Sequence, residues 1–517
     1  MKRQRVGVLE LLSDSVSQSR GRRFFGRQVR RHYASIMPQA VATWCRELGH
    51  DVTYATYYGQ RDPRSLLPTD LDVVFVSAYT HASAVAYALA RVFHREGTLT
   101  VLGGPHARCF PTDSLRFYDL VVNHCDRRLV TEIVDGEHRP GRRISSEGPP
   151  KELPTVEQRL PDIVTSSLTT NRRRPFGANV PMLSSVGCPY TCNFCSDWNN
   201  DYVTLPSDQL EEDLRFVSEH LPGVMVSFHD PNFGVSFEAT LSALETIPPE
   251  KRNPYFMESS LSILKGPRLK RLSDTNCYFC APGLEGWDDY SNKAGVGSRT
   301  GREKLEKVVA HFGELRQHVP NLQANFIFGT DSDSGDEPVE LTCEFIRRVP
   351  HAWPAVNIPT PFGGTPLHDD YLREGRILTD MPFSLYYMPY LVTTLAGYSP
   401  LEYYDRIIGI QATACSFGLL PRRILGAPPG LMRWMNVLRT FGGHGLLNRL
   451  RDVRDRMHAE PELLAFHEGR RYGLPEYYRR LHLDRLGPYA ELFTDADIHP
   501  EMEAPVTTTD VTALAST

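Results

Sequence analysis

The chain has 517 residues, enough for roughly three domains of ordinary size, so a single small module is excluded. Hydrophobic residues make up 41% and charged residues 23%, the composition of a globular protein rather than a disordered or membrane-embedded one. The net charge is −5, so no global positive field favours nucleic acid, and no nucleic-acid partner is expected. The absence of a long apolar run or signal-peptide pattern predicts a cytoplasmic protein with no transmembrane segment.

The N-terminal region, residues 1–137, alternates short apolar runs with helical patterns. This alternation predicts a doubly wound, Rossmann-like α/β domain with a parallel sheet. Five strands are predicted, at 6–12, 51–59, 71–79, 98–104 and 120–123. The following segment, residues 138–178, is rich in Pro, Gly, Ser and Arg and is predicted to be a linker.

A second alternating region, residues 179–380, predicts a partial (β/α)6 barrel similar to part of a TIM barrel. Its six strands are predicted to start at 181 and to continue at 224–230, 254–260, 277–285, 323–331 and 355–362. Residues 381–500 are predicted to be a helical region that caps the barrel or contacts substrate. Residues 501–517 are predicted to be a disordered tail.

The late helical region contains a basic, apolar segment from Arg433 to Arg456. Such a segment could lie on a membrane surface or on a substrate. The intervening Asp452 and Asp455 reduce its positive field, so an ordinary amphipathic helix that closes the barrel mouth is favoured.

Ten cysteines are too few for a disulfide scaffold in a chain of this length, but three of them fall within eight residues. They form Cys188-Pro-Tyr-Thr-Cys192-Asn-Phe-Cys195, directly after the first predicted barrel strand. Thiolates are soft ligands for iron or zinc. A structural zinc site normally needs a fourth ligand, and the nearest histidines are distant. In a four-iron cluster the open position becomes useful, because one iron can hold a substrate or cofactor. An adventitious or zinc-binding cysteine cluster is the alternative.

This Cys-x3-Cys-x2-Cys spacing, with the aromatic Phe194 before the last cysteine, resembles the signature of the radical S-adenosylmethionine (SAM) enzymes. The resemblance implies that Cys188, Cys192 and Cys195 ligate a [4Fe-4S] cluster and that SAM chelates the open iron. It also implies an electron donor, such as flavodoxin or ferredoxin, whose electron cleaves SAM to a 5′-deoxyadenosyl radical.

Further cofactor contacts follow from the same resemblance. Phe194 belongs to the cluster motif, Glu258 and Glu285 lie at predicted strand ends, and Asn325 belongs to a fifth-strand motif near the adenine. The C-terminal rim of a parallel barrel collects its functional groups at such positions. Ordinary strand-end capping is the alternative for each of the strand residues.

Two other cysteines, Cys277 and Cys280, are expected to be buried and inert. Two thiolates alone do not complete a metal site. Their spacing of three residues is expected to place them on opposite faces of a strand.

In the N-terminal domain, Ser77 follows the third predicted strand and Gly103-Gly104 follow the fourth. Glycines at the carboxyl edge of a doubly wound sheet let a large cofactor approach the backbone. Together they resemble the cobalamin-binding domain that precedes the barrel in one large radical SAM subfamily. No Asp-x-His-x-x-Gly motif follows the first strand, so any cobalamin is expected to bind without a protein histidine on cobalt. A domain kept only as a scaffold or substrate wall is the alternative.

The resemblance covers roughly residues 5–380 and implies a cobalamin-dependent radical SAM enzyme. Such an enzyme most often methylates an unactivated carbon, here of a small-molecule, natural-product or lipid intermediate. A radical cyclase or rearrangement enzyme without methyl transfer is one alternative. A non-catalytic iron-sulfur binding protein is another.

Overall fold

Two parallel six-stranded sheets organise the chain, followed by a helical C-terminal region. The structure is a computed structural model, and it describes residues 3–16, 26, 30–168, 178–288, 294–295, 297, 299–427 and 431–504. None of the helices within these ranges is long and apolar enough to cross a membrane.

The N-terminal sheet has the strand order β2-β1-β3-β4-β5-β6, with every pair parallel. Its strands are β1 (Arg5–Leu11), β2 (Asp51–Tyr57), β3 (Val73–Ala78), β4 (Leu99–Gly103), β5 (Leu120–Val122) and β6 (Arg142–Ile144). The helices are α1 (Ile36–Glu47), α2 (Ser83–Arg95), α3 (Pro105–Cys109), α4 (Pro111–Leu115), α5 (Arg127–Val134) and α6 (Val156–Thr165). The five predicted strands are confirmed.

The segment expected to be a linker contains β6 and α6. Strand β6 is a three-residue edge strand that begins with two exposed arginines, so its sequence lacks the apolar pattern of a central strand. Helix α6 packs beside α1, where Arg46 and Asp162 form a two-fold ion pair of 2.8 and 2.5 Å. The described part of this segment therefore extends the N-terminal sheet and its helical layer.

The second sheet is the predicted partial barrel, with the parallel order β7-β10-β11-β12-β13-β14. Its strands are β7 (Asn179–Met182), β10 (Met225–Phe228), β11 (Tyr255–Ser260), β12 (Cys277–Glu285), β13 (Asn321–Ile327) and β14 (Ala352–Asn357). The surrounding helices are α7 (Ser207–His220), α8 (Phe237–Glu245), α9 (Pro267–Asp274), α10 (Gly301–Leu315) and α11 (Glu337–Arg348). Two short strands, β8 (Ser185–Val186) and β9 (Val203–Thr204), form an antiparallel pair beside the barrel.

A bulge in β12 changes the expected placement of two cysteines. Tyr255 of β11 pairs with Cys277, but its second neighbour Met257 pairs with Cys280, so β12 contains one extra residue. Both cysteines therefore lie on the same face of the sheet, and the expectation of opposite faces was wrong. Both are buried as expected, and burial raises the pKa of the Cys277 thiol to about 12, which makes it unreactive.

The C-terminal region is helical, as predicted. It comprises α12 (Pro366–Arg373), α13 (Pro400–Ala414), α14 (Leu420–Gly426), α15 (Leu431–Ala459), α16 (Pro461–His467), α17 (Glu476–Leu486) and α18 (Asp495–Ile498). The last helices return to the N-terminal domain, where Arg91 of α2 and Asp497 of α18 lie 2.5 Å apart. Most of the predicted tail, residues 505–517, lies outside the described residues.

Asp14, just after β1, joins the N-terminal sheet to the C-terminal region. Its carboxylate accepts a hydrogen bond of 2.6 Å from the Tyr387 hydroxyl and lies 2.9 Å from Arg30 and 3.9 Å from Arg485. Burial opposes ionisation of this carboxyl, but Arg485 and Arg30 outweigh it and hold the pKa of Asp14 well below its usual range. A buried, ionised group with several partners is costly to separate from them, so it ties the two parts together.

Glu10, inside β1, carries a second buried carboxyl. The backbone N–H and hydroxyl of Ser35 both donate to Oε1 at 2.7 Å, and the Tyr54 hydroxyl donates to Oε2 at 3.2 Å. These donors favour the charged form, but burial dominates and raises the pKa of Glu10 to about 7 from an ordinary 4.5. The folded protein therefore favours the protonated carboxyl at pH values where the unfolded chain has lost that proton.

Glu10→Gln should remove part of the pH dependence of stability. The favourable contribution of protonated Glu10 is complete below pH 4.5 and is lost as the pH rises through 7. Between pH 5 and 8 the free energy of unfolding of wild type should therefore fall by up to about 3 kcal/mol more than that of the variant. The urea midpoint measured at both pH values tests this, with the exposed Glu137→Gln as control. The prediction would be contradicted if wild type and variant differed in urea midpoint by the same amount at both pH values.

Candidate active site

The carboxyl ends of the two sheets face each other. Tyr79, directly after β3, is close enough to Glu10 of its own sheet and to Glu258 of β11 for both charges to act on it. Burial raises the pKa of Tyr79, and these two carboxylates raise it further. Gly363, in the loop after β14, packs so closely against the Cys109 carbonyl of α3 that a side chain would not fit. Loops from both sheets therefore enclose one shared site.

The three-cysteine loop lies between β8 and β9, at this shared edge. Gly187, just before Cys188, has φ of +72°, and a Cβ there would collide with the Asp201 backbone. The three cysteine residues are half-buried. The Asp197 N–H donates to the Cys195 sulfur at 3.4 Å. The pairing of β8 with β9 and this close approach hold the loop at the edge of the barrel.

Both domains contact this loop. Arg108 of α3 donates to the Ser196 carbonyl and lies 3.0 Å from the Asp197 carboxylate. On the barrel side, Leu367 N–H donates to the Asn193 carbonyl at 3.0 Å. The Trp198 indole donates to the Gly364 carbonyl at 2.7 Å. Arg108 was not among the predicted site residues, because nothing local in the sequence indicates a partner 88 residues away.

Phe194 and the cysteines have different surroundings. Phe194 packs against the apolar cluster of Leu367, Tyr371 and Ile377 around α12, so one contribution of this side chain is to anchor the loop.

Among the described residues, no three Cys, His, Asp or Glu side chains are already arranged around one metal position. The assignment of Cys188, Cys192 and Cys195 as ligands therefore stays a prediction. Their thiolate chemistry, half-burial and N–H donation to sulfur fit an iron-sulfur cluster.

The inner face of the barrel carries the predicted polar residues. Along β13, Ala324 and Phe326 pack in the apolar core, so Gln323 and Asn325 lie on the opposite, inner face. The Gln323 amide donates to Asn325 Oδ1 at 2.8 Å. Glu258 lies on the same face and is exposed although β11 is a central strand. An exposed carboxylate at this position shows that the barrel interior is open.

Glu285 ends β12 in a left-handed backbone conformation, with φ of +65°. A non-glycine residue rarely adopts this conformation, and such strain is concentrated at functional sites. Its side chain is buried, in contrast to that of Glu258. The two predicted carboxylates therefore have different surroundings.

Two residues that the sequence analysis did not select also belong to the interior. Arg439 of α15 lies over the rings of Phe279 at 5.4 Å and Trp353 at 5.8 Å. Burial lowers the pKa of Arg439 to about 10, with Tyr33 opposing, so it keeps its charge at neutral pH. The Tyr33 side chain is 61% exposed, so it lines the open side of this space. The protein atoms around it still raise the pKa of its hydroxyl by desolvation, with Arg439 opposing the shift and Glu258 adding to it. A carboxylate, a guanidinium and a phenol therefore share this space.

At the carboxyl edge of the N-terminal sheet, where a cofactor is predicted to bind, three adjacent strands each contribute one residue to a single row. Glu10, Ser77 and Gly103 lie side by side on β1, β3 and β4. A Cβ on Gly103 would meet open space, whereas one on Gly104, with φ of +89°, would collide with Ser77. Gly104 is thus required by the fold itself. Gly103 is the glycine that leaves room for a ligand.

The histidine nearest to this edge in sequence is not available as a ligand. His106 is buried, and its Nε2 lies 2.6 Å from the Tyr87 hydroxyl, which donates to Asp113 at 2.7 Å. Burial lowers the pKa of His106 to about 3, so the ring is neutral. Burial therefore makes His106 inaccessible to a cofactor metal, and the expectation that cobalamin binds without a protein histidine on cobalt stays a prediction.

Comparison with known proteins adds to this geometry. No protein-family model matches the chain. Bacteriochlorophyllide d C-8(2)-methyltransferase of Chlorobaculum tepidum is 26% identical over 357 residues, covering 66% of this chain and 76% of the relative. Hopanoid C-2 methylase of Rhodopseudomonas palustris is 25% identical over 327 residues, covering 60% of this chain and 59% of the relative.

The fold matches that of the radical SAM methyltransferase TsrM from Kitasatospora setae, solved with cobalamin and a [4Fe-4S] cluster bound. The TM-score is 0.54 at 12% identity, covering 87% of this chain and all of TsrM. The chain is thus similar in sequence to curated methyltransferases and similar in fold to a cobalamin-bound radical SAM enzyme. The predicted fold class is confirmed.

Replacing any one of Cys188, Cys192 and Cys195 by Ala should prevent assembly of the predicted iron-sulfur cluster, because a three-thiolate site has no spare ligand. Iron content and visible absorbance after anaerobic reconstitution measure the effect. The buried Cys280→Ala is the control and should retain about four irons per chain. A cluster that survives one of the three substitutions would contradict the ligand assignment.

Gly103→Val should weaken cobalamin binding at least about tenfold, because the new side chain fills the open space at the sheet edge while the fold tolerates it. Titration of the corrinoid absorbance measures the affinity. Gly313→Val is the matched control, since Gly313 also faces open space but lies on α10. Wild-type affinity in Gly103→Val would show that the cofactor does not approach this glycine.

Proposed function

We propose that this protein is a cobalamin-dependent radical SAM methyltransferase. It transfers a methyl group to an unactivated carbon of a mostly apolar small molecule or lipid intermediate, bound between the two sheets. The supporting observation is the contact of Arg108 with the cysteine loop, which joins the edge of the N-terminal sheet to the barrel site. Chemistry that uses two cofactors needs both to reach one substrate, and this contact brings the two edges together.

In this proposal, Cys188, Cys192 and Cys195 hold the cluster, and the Asp197 N–H stabilises the Cys195 thiolate by hydrogen bonding. Phe194 anchors the loop on the apolar cluster around α12. When bound, the cofactors supply reductive cleavage of SAM and methyl transfer to carbon. The loop's own contribution is to keep three thiolates at the mouth of the barrel.

Glu258 and Asn325 are the proposed SAM-binding residues on the inner face. The exposed Glu258 carboxylate can accept charge-assisted hydrogen bonds from the SAM ammonium or ribose. Asn325 donates to the Ala281 carbonyl at 3.2 Å, which orients its amide toward the same interior. Glu285 is assigned to the same rim because its strained backbone ends a barrel strand.

Ser77, Gly103 and Gly104 form the proposed cobalamin edge. Gly103 leaves space for the corrin, while Gly104 allows the tight turn into α3. Cobalamin would bind here without His106 on cobalt, since that ring is buried against Tyr87.

The interior supports an apolar substrate. Phe279 and Trp353 supply aromatic surface, and Arg439 supplies a cation that can hold an anionic group of the substrate. The relatives are named for methylation of a bacteriochlorophyllide and a hopanoid, which supports a small-molecule or lipid substrate. A cytoplasmic flavodoxin or ferredoxin is the proposed electron donor.

The reaction is tested by anaerobic incubation of reconstituted wild type with cobalamin, a chemical reductant and SAM labelled in its methyl group. Bacteriochlorophyllide d and a hopanoid serve as trial substrates. We expect both 5′-deoxyadenosine and S-adenosylhomocysteine to form, and neither to form with Cys188→Ala. Deoxyadenosine alone would favour a radical rearrangement without methyl transfer, and the absence of both would favour a non-catalytic protein.

A further inference from the structure

The outer face of α14 and α15 carries an unusual concentration of exposed apolar side chains. Of the nine large hydrophobic residues that are exposed in the described part of the chain, five lie between positions 417 and 441. These five residues, named the apolar patch, are Phe417, Leu425, Trp434, Leu438 and Phe441. Their side chains are 52%, 78%, 68%, 55% and 59% exposed, in that order. Clustered exposed apolar groups mark interaction surfaces, whereas scattered ones need no explanation.

The patch is continuous along one side of α15. Trp434, Leu438 and Phe441 follow each other at spacings of four and three residues, which places them in one stripe. The ring of Phe417 lies 5.5 Å from that of Phe441 and extends the stripe. Helix α14 lies alongside, because the Asn436 amide donates to the Arg423 carbonyl at 3.2 Å.

The opposite side of α15 already serves the fold. Leu447, Leu450, Val453 and Met457 are buried, and Arg439 reaches the aromatic rings inside the barrel. The outward apolar residues are therefore not part of the core. The packing of α15 as an ordinary amphipathic helix, which the sequence predicts, therefore does not explain why these apolar side chains face outward.

The charge around the patch is one-sided. Residues 406–451 contain no Asp or Glu but seven arginines, in a chain whose net charge is −5: Arg406, Arg422, Arg423, Arg433, Arg439, Arg449 and Arg451. Of these, Arg422, Arg449 and Arg451 are exposed. Asp452 and Asp455, at the border of the segment, lie 3.3 Å from Arg456 and 2.6 Å from Arg454. Their negative charge is compensated by arginines outside the segment. Arg406 is paired with Asp336, so the exposed Arg422, Arg449 and Arg451 are the arginines that supply positive charge near the patch.

We propose that the apolar patch and its arginines dock this protein on an anionic membrane surface. Trp, Phe and Leu on one helix face, flanked by Arg, match the side chains that insert into the headgroup boundary of a bilayer. Arginines near the surface are attracted to anionic headgroups. A second copy in a symmetric contact would place two positive faces against each other, which disfavours a dimer through this patch.

Docking through this face also places the barrel close to the bilayer. The patch and Arg439 lie on opposite sides of one helix, whose diameter is roughly 10 Å. The interior that holds Arg439 is thus about one helix away from the lipid. The docking itself does not depend on the proposed methyl transfer.

Vesicle binding by the full-length protein tests the proposal. Vesicles of phosphatidylcholine with about 30% phosphatidylglycerol should bind wild type at least about tenfold more tightly than phosphatidylcholine alone, with weaker binding at high salt. The double variant Leu438→Ser, Phe441→Ser should lose at least about tenfold in affinity. Tyr472→Ser is the matched control, because Tyr472 is 87% exposed but lies outside the patch, and it should bind as wild type does.

Trp434 provides an independent readout, because it is the most exposed of the five tryptophans, at 68%. Trp44 and Trp287 are buried, and Trp198 and Trp353 are half-buried. Brominated lipid in anionic vesicles should quench wild-type tryptophan emission, and Trp434→Phe should remove most of that quenching. Far-UV circular dichroism and iron content confirm that each variant folds.

Two outcomes would overturn the proposal: no binding of wild type to anionic vesicles, or equal binding by the double variant. Concentration-dependent dimerisation that the double variant abolishes would assign the patch to a second copy instead. Binding to an oligonucleotide but not to vesicles would likewise reject a membrane surface.

Discussion

The organisation of this protein depends on one constraint: the carboxyl ends of two parallel sheets meet at a single loop. In a parallel sheet every strand delivers its following loop to the same edge, so functional groups collect there. Arg108 extends this rule across two domains, because it leaves the edge of the first sheet and binds the cysteine loop of the second. Residues far apart in sequence, such as Tyr79 and Glu258, consequently come within electrostatic range of each other.

The glycines at this meeting place have two different physical roles. Gly104, Gly187 and Gly363 leave no room for a side chain, so the close approach of backbones requires them. Gly103 faces open space, so packing does not explain it. The same residue type therefore stabilises the fold at three positions and leaves room for a ligand at one.

The C-terminal region has more than one task. Through Tyr387 and Arg485 it holds Asp14 at the edge of the N-terminal sheet, and through Arg439 it contributes a charge to the barrel interior. The same long helix exposes apolar side chains on its other face. A single element thus links the domain arrangement, the substrate cavity and the proposed docking surface.

Apolar periodicity in the sequence was sufficient to predict the five main strands of the first sheet, the six barrel strands and the helical C-terminus. The cysteine spacing was sufficient to indicate the enzyme family, because a soft-ligand motif is local in sequence. The short edge strand β6 was missed because two exposed arginines hide its pattern. The shared face of Cys277 and Cys280 was missed because a bulge breaks the two-residue period of a strand. Only the tertiary structure brought Arg108, Tyr33 and Arg439 to the site, since contacts over long sequence separations leave no local pattern. It alone also decided which side of α15 faces solvent, because amphipathicity does not specify which neighbours cover a helix.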